Sequence, residues 1–176
     1  MRTSHETKRA KKIIVELVRQ KGTPFHNKSD LFLAFWRAHL NYAATNAGYL
    51  SSWPMIRTPH GPGIQDFDYL LSELLADAWL ATTESQVGDN LALVISLGSN
   101  CPPQSLSEES IAAICEAVQP SAARNFRDSR VWREAADGEE LDIYLDLMDS
   151  EERDLRESNL AILAAAIGAP YSTSRK

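Results

Sequence analysis

The side chains of this sequence that could move protons are few and scattered. Its four histidines are His5, His26, His39 and His60, and none stands in a His-Glu-x-x-His or comparable metal-ligand spacing. His39 falls inside an apolar, helix-forming stretch, where a packed or surface imidazole is the ordinary outcome. His60 directly precedes Gly61-Pro62, and a fold that carried it to His39 or Asp66 would create a general acid–base pair. No phosphate-cradling glycine loop and no nucleophile elbow occurs. The two cysteines, Cys101 and Cys115, are too few for a disulfide framework and lack Cys-x-x-Cys spacing, so they read as reduced structural thiols. From these residues no catalytic constellation, metal or cofactor is expected, and an enzyme built on His39 and His60 is the least favoured reading.

Charge carries more information. The net charge of −6 hides an asymmetry. The first thirty residues hold Arg2, Lys8, Arg9, Lys11, Lys12, Arg19, Lys21 and Lys28 against Glu6, Glu16 and Asp30. Acidic runs such as Asp137-Gly138-Glu139-Glu140 and Asp149-Ser150-Glu151-Glu152 follow toward the other end. Between them, Asp66, Asp68, Glu73 and Asp77 share one stretch, Gln65 to Leu80, that has no lysine or arginine. A helix entering a DNA groove must meet closely spaced phosphates, so such a stretch suits a basic protein surface and repels DNA. Arg124, Arg127, Arg130 and Arg133 recur every third residue. On an α-helix that series drifts by about 60° per step and spreads around the circumference, close to Glu116, Asp128 and Glu134. Solvated ion pairs are its ordinary reading.

The elements that must position these groups are mostly helical. A first helix over about Lys8 to Arg19 puts Ile13, Ile14, Leu17 and Val18 on one face and the lysines opposite. Asn27 or Ser29 can cap a second, starting at Lys28 and running toward Tyr49, with Asn46-Ala47-Gly48 as its stop. Pro59-His60-Gly61-Pro62-Gly63 then reads as a sharp corner, because Gly tolerates φ > 0 and Pro fixes φ near −65°. A third helix spans Gln65 to Leu80. Leu80 to Thr83 and Leu91 to Leu97, around Gly88-Asp89-Asn90, form a hairpin. That order, three helices and a short β-hairpin, is the order of a winged-helix core, so the expected class is mainly α. Ser105-x-x-Glu108 looks like a capping box for a fourth helix, and Pro120-Ser121 opens a short one toward Arg127. Leu141 to Leu147 alternates at strand period, leaving 139–148 open between strand and helix, and a last helix covers about Ser150 to Ile167. Trp53, in a loop with Pro54, is either a plug over the core or an interface anchor.

A chain of 176 residues with 44% apolar and 24% charged content fits one soluble globular domain. Its longest apolar run, Leu160 to Ile167, is far below the roughly 20 residues that span a bilayer, and no apolar leader follows Met1. The expected location is cytoplasmic, with no membrane partner.

Lys28-Ser29-Asp30-Leu31-Phe32-Leu33-Ala34-Phe35-Trp36-Arg37-Ala38-His39, Gly48-Tyr49-Leu50 with Pro54-Met55-Ile56-Arg57, and His60-Gly61-Pro62 occur in an order that resembles a known family. Leu106-Ser107-Glu108-Glu109 to Val118, Pro120-Ser121-Ala122 and Val131-Trp132-Arg133-Glu134-Ala135 complete the likeness. The family is the Panacea, or SocA-like, antitoxin domain. The resemblance covers about residues 8–135 and leaves 136–176 as a C-terminal extension; Arg124-Asn125-Phe126 stands where the family usually has a Thr-His pair. It implies an antitoxin that neutralises a cognate bacterial or phage toxin by direct binding, with homo-oligomerisation left open. His60, Gly61, Pro62 and Trp132 would be its structural motif, and Trp53, Arg57, Asp66, Asp68, Glu73 and Asp77 its candidate partner-binding residues. The alternative is a DNA-associated regulator that uses the basic N-terminus.

Overall fold

Thr3 opens the first helix of the computed structural model, which describes residues 3–46, 48–87, 90–119, 127 and 129–142. Its hydroxyl accepts from the Glu6 amide at 3.3 Å while the Glu6 carboxylate accepts from the Thr3 amide at 2.9 Å. This capping box satisfies two orphan amides and starts helix α1 at Ser4, a turn before Lys8, so that it spans Ser4–Lys21. Ala10, Ile13, Ile14, Leu17 and Val18 form its buried stripe. Asn27 caps α2 (Lys28–Thr45), accepting from the Asp30 amide at 2.7 Å. The helix stops short of Tyr49, and its Leu31, Ala34, Phe35 and Ala38 are buried at helical spacing. α2 packs chiefly on α4 (Glu108–Ala117), with α1 against both.

The corner expected at His60-Gly61-Pro62 is instead a β-hairpin. β1 (Met55–Thr58) pairs antiparallel with β2 (Gly61–Ile64), and Pro59-His60 is the two-residue turn. Gly61, at φ 135°, supplies the backbone conformation that an L side chain resists. Pro62 has no N–H to give, and its place in the register explains why it is tolerated. It faces Arg57, whose amide and carbonyl point the other way, to Glu139 O at 2.8 Å and from Gly138 N at 2.9 Å. Leu141 N also bonds Met55 O at 2.8 Å, and Glu140 bridges Ile56. Of the segment 139–148, the part through Asp142 therefore lies along β1; the rest, with the expected helix over 150–167, lies outside the described residues.

α3 (Phe67–Ala76) is shorter than Gln65–Leu80 because left-handed residues flank it, Asp66 at φ 52° and Ala78 at φ 54°. Leu80 belongs instead to β3 (Leu80–Val87), which pairs with β4 (Asn90–Leu97) in the expected hairpin. Phe25 exchanges two backbone hydrogen bonds with Ile95, tying the α1–α2 connection to that hairpin. The cap of α4 is Ser107 rather than Ser105, which sets both Glu108 and Glu109 in the first turn at the positive end of the helix dipole. Trp132 lies in α5 (Arg130–Glu134), capped by Ser129. The short helix expected from Pro120-Ser121 toward Arg127 falls outside the described residues, apart from Arg127 itself.

The described fold is thus mixed α/β: helices with two separate two-stranded antiparallel sheets. The expected unbroken run of three helices before a hairpin is corrected by β1–β2 between α2 and α3. Phe35, Trp36, Ile13, Leu17, Leu70, Leu74 and Ile95 are core residues from both helical and strand elements. Each such side chain contributes about 1.5–3 kcal/mol by leaving water. No helix among the described residues is long and apolar enough to cross a membrane.

Candidate functional site

An open groove of about 940 Å³ lies where the start of α3 meets α2 and the 51–54 segment. Phe32, Trp53 and Phe67 give it apolar walls; Lys28, Asp66 and Asp68 make it charged. Phe32 meets Phe67 edge-on at 4.7 Å between ring centres, fixing the walls relative to each other. Trp53 is held at both ends: its amide donates to Ser51 Oγ at 3.0 Å and its indole Nε1 to Gln65 O at 2.8 Å. With 3% exposure it is a plug in the core that also lines the groove. Tyr69, 52% exposed, stands at the groove. Its hydroxyl donates to Glu73 at 2.7 Å, which pushes the phenol pKa up because loss of that proton would set two anions together.

The expected binding residues do not converge in one place. Trp53, Asp66 and Asp68 share the groove. Lys28 Nζ sits 2.6 Å from Asp68 and over the Phe67 ring. Glu73 and Asp77 instead hold Lys11, at 3.5 and 2.6 Å, with the Lys11 ammonium above Trp79. The acidic stretch is therefore partly neutralised from within by lysines of α1 and α2, which its own sequence does not reveal. Arg57 lies in a third place. It stacks on Trp132, pairs with Asp137 at 3.3 Å and donates to Ala135 O, fastening α5 and the following segment to β1. Arg57 and Trp132 thus form one structural unit.

The histidines are separated by environment. His60 is exposed at the hairpin turn, while Gly61 and Pro62 are buried. His39 is 2% exposed in α2, and no hydrogen bond joins the two among the described residues. His39 Nδ1 lies 2.8 Å from Phe35 O, so that nitrogen carries the proton in the neutral ring. Nε2 is left buried without a partner. Burial lowers the His39 pKa from 6.5 to about 4; the Phe35 and Ser51 backbones oppose the fall, and Arg9 adds to it. A second cavity, of about 400 Å³, adjoins His39 and is lined by Ser51, Met55, Glu140 and Leu141. No group of three or more metal-ligating side chains gathers among the described residues.

Lys28 and Tyr69 line the groove but are not among the candidate binding residues read from sequence. Lys28 was legible only as part of the basic cluster, of the family-like motif and as a helix start, and Tyr69 differs from the buried Leu70 beside it only once the buried face of α3 is known. Compared with protein-family models, curated proteins and solved structures, the chain matches none. The class defined by fold and site is a mixed α/β protein with an open, aromatic-walled groove rimmed by acids.

Proposed function

We propose that the chain is an antitoxin-like binding protein that neutralises a cognate toxin by direct contact, with the groove beside α3 as its docking surface. The observation that carries this reading is the union of Trp53, Phe32 and Phe67 with Asp66, Asp68 and the exposed Tyr69 in one open groove. Aromatic anchors ringed by charge characterise protein-recognition surfaces. The occupant is a basic segment of the toxin carrying an apolar anchor. Charge complementarity selects it, since α3 bears no basic side chain and the whole chain carries −6. The Lys28–Asp68 pair is no obstacle: Asp68 is 85% exposed, and exposed pairs are worth only about 0–1 kcal/mol, so a partner cation can replace Lys28. In the winged-helix reading, α3 and the β3–β4 hairpin would take the places of helix and wing. The acids of α3 turn that helix toward protein rather than DNA.

Co-expression of this chain with the product of its neighbouring gene tests the reading. The neighbour should arrest growth alone, and co-purification should give an interface burying on the order of 1,200–2,000 Å². Asp68→Lys combined with Tyr69→Ala should weaken the complex by about tenfold or more, as loss of an interface tyrosine does. A harmless neighbour, the absence of a complex, or a complex indifferent to both substitutions would sink it.

A further inference from the structure

His5, Lys8, Arg9 and Lys12 fall at i, i+3, i+4 and i+7 of α1, which sets them on one face of the helix. That face lines a cleft of about 530 Å³, closed on the other side by Tyr49, Leu50, Ser51 and Ser52. Arg9 is fixed in place: Nε donates to Leu50 O at 3.0 Å and Nη2 to Ser110 Oγ at 2.9 Å. Lys8 and Lys12 make no ion pair among the described residues, whereas Lys11 of the same helix and Lys28 of α2 each do. Glu6, the one carboxylate lining the cleft among the described residues, is engaged by Thr3 and by Ser52 Oγ at 3.0 Å. Among the described residues, a cationic stripe without ion pairs thus lies beside a tyrosine that is 52% exposed.

We propose that this cleft binds a nucleotide unit, its phosphate on Lys8, Arg9 and Lys12 and its base stacked on Tyr49. Lysine and arginine neutralise phosphate, and an aromatic face beside them accepts any base. The cleft volume falls within the roughly 300–1,000 Å³ of small-molecule sites. The aromatic partner favours a nucleotide over an acidic peptide, which would use the lysines alone. The unit is either a free nucleotide or one residue of a single strand, since both present the same phosphate and base. This site is separate from the α3 groove and does not depend on the antitoxin reading; it gives the basic N-terminus a defined ligand other than a major groove.

Fluorescence anisotropy with the full chain tests it, using a labelled oligothymidylate and a labelled mononucleotide. Inorganic phosphate and poly-glutamate serve as competitors. For two or three phosphates on a single strand, log K should fall with log[salt] at a slope of about −1.4 to −2.1. Lys8→Glu with Lys12→Glu should lower affinity by about tenfold or more, with thermal melts showing the fold intact because both side chains reach solvent. Tyr49→Ala should cost the nucleotide probes about tenfold while leaving competition by inorganic phosphate unchanged. Lys21→Glu, outside the cleft, should change nothing. Equal affinity for mononucleotide and oligomer supports a free nucleotide as ligand; a clear advantage for the oligomer supports a single strand. The proposal is overturned if the double lysine variant binds as well as the wild type. It is equally overturned if poly-glutamate displaces the probes and Tyr49→Ala has no effect, which would assign the stripe to an acidic partner.

Discussion

Lowering the pH should destabilise this protein through one side chain, His39. Its imidazole is enclosed in α2 with Nδ1 on the Phe35 carbonyl and Nε2 unpartnered. The unfolded chain takes up a proton on this ring below about pH 6.5, but the folded protein refuses it until about pH 4. Between those values the unfolded state holds more protons, so stability is fully present above 6.5 and declines as the pH falls toward 4. The difference converts to about 3 kcal/mol at about 1.4 kcal/mol per pH unit, a large share of the 5–15 kcal/mol typical of a folded domain. Urea titrations at a series of pH values measure it. Carboxylates titrate in the same range, so the informative quantity is the wild type minus His39→Met, a variant with no ring to protonate. That difference should change by about 2.5 kcal/mol between about pH 7.5 and 4.5, and the His39 Cε1 proton should titrate near pH 4. A midpoint above about 6, or a difference that stays flat across the window, would refute the reasoning.

Gly98→Ala should cost about 2–4 kcal/mol, because the added Cβ would lie 2.2 Å from Ala78 O and 2.9 Å from Leu80 O. Both neighbours are backbone, so the chain must part and lose the Gly98 N–Trp79 O and Asn100 N–Ala78 O bonds; an unchanged melting temperature would contradict this. Glu16→Ala should destabilise by about 3 kcal/mol in urea unfolding, since it strips Arg19 and Gln20 of a carboxylate that is 1% exposed. Trp132→Ala should act locally first. Hydrogen exchange of the Gly138 and Leu141 amides should speed up by about tenfold or more as Arg57 loses its stacking partner, while exchange in α1 changes little.

Periodicity and caps alone were enough to mark α1, α2 and the β3–β4 hairpin, because each is specified by contacts between residues a few positions apart. The boundaries that moved did so for local reasons. Thr3 and Glu6 lengthened α1, and the left-handed Asp66 and Ala78 shortened α3. The β1–β2 hairpin was beyond such reading: Gly61-Pro62-Gly63-Ile64 is buried throughout and has no alternation to detect. It is strand because Met55 and Arg57 bond outward to residues 138–141, more than seventy positions away. The candidate site divided for the same reason. Acids that adjoin in sequence parted company once Lys28 reached Asp68, and Lys11 reached Glu73 and Asp77.

By itself the sequence determined that α1 carries one apolar and one cationic face and that α3 is acidic, since helix geometry follows from spacing alone. Only the tertiary structure decided which of those charges are paired among the described residues. Lys11 is turned to α3, whereas Lys8 and Lys12 are left at the Tyr49 cleft; Trp53 is drawn into the core, and His39 is sealed away from water. Burial and long-range pairing set the energy of a charge or a ring nitrogen, and neither exists until distant segments pack.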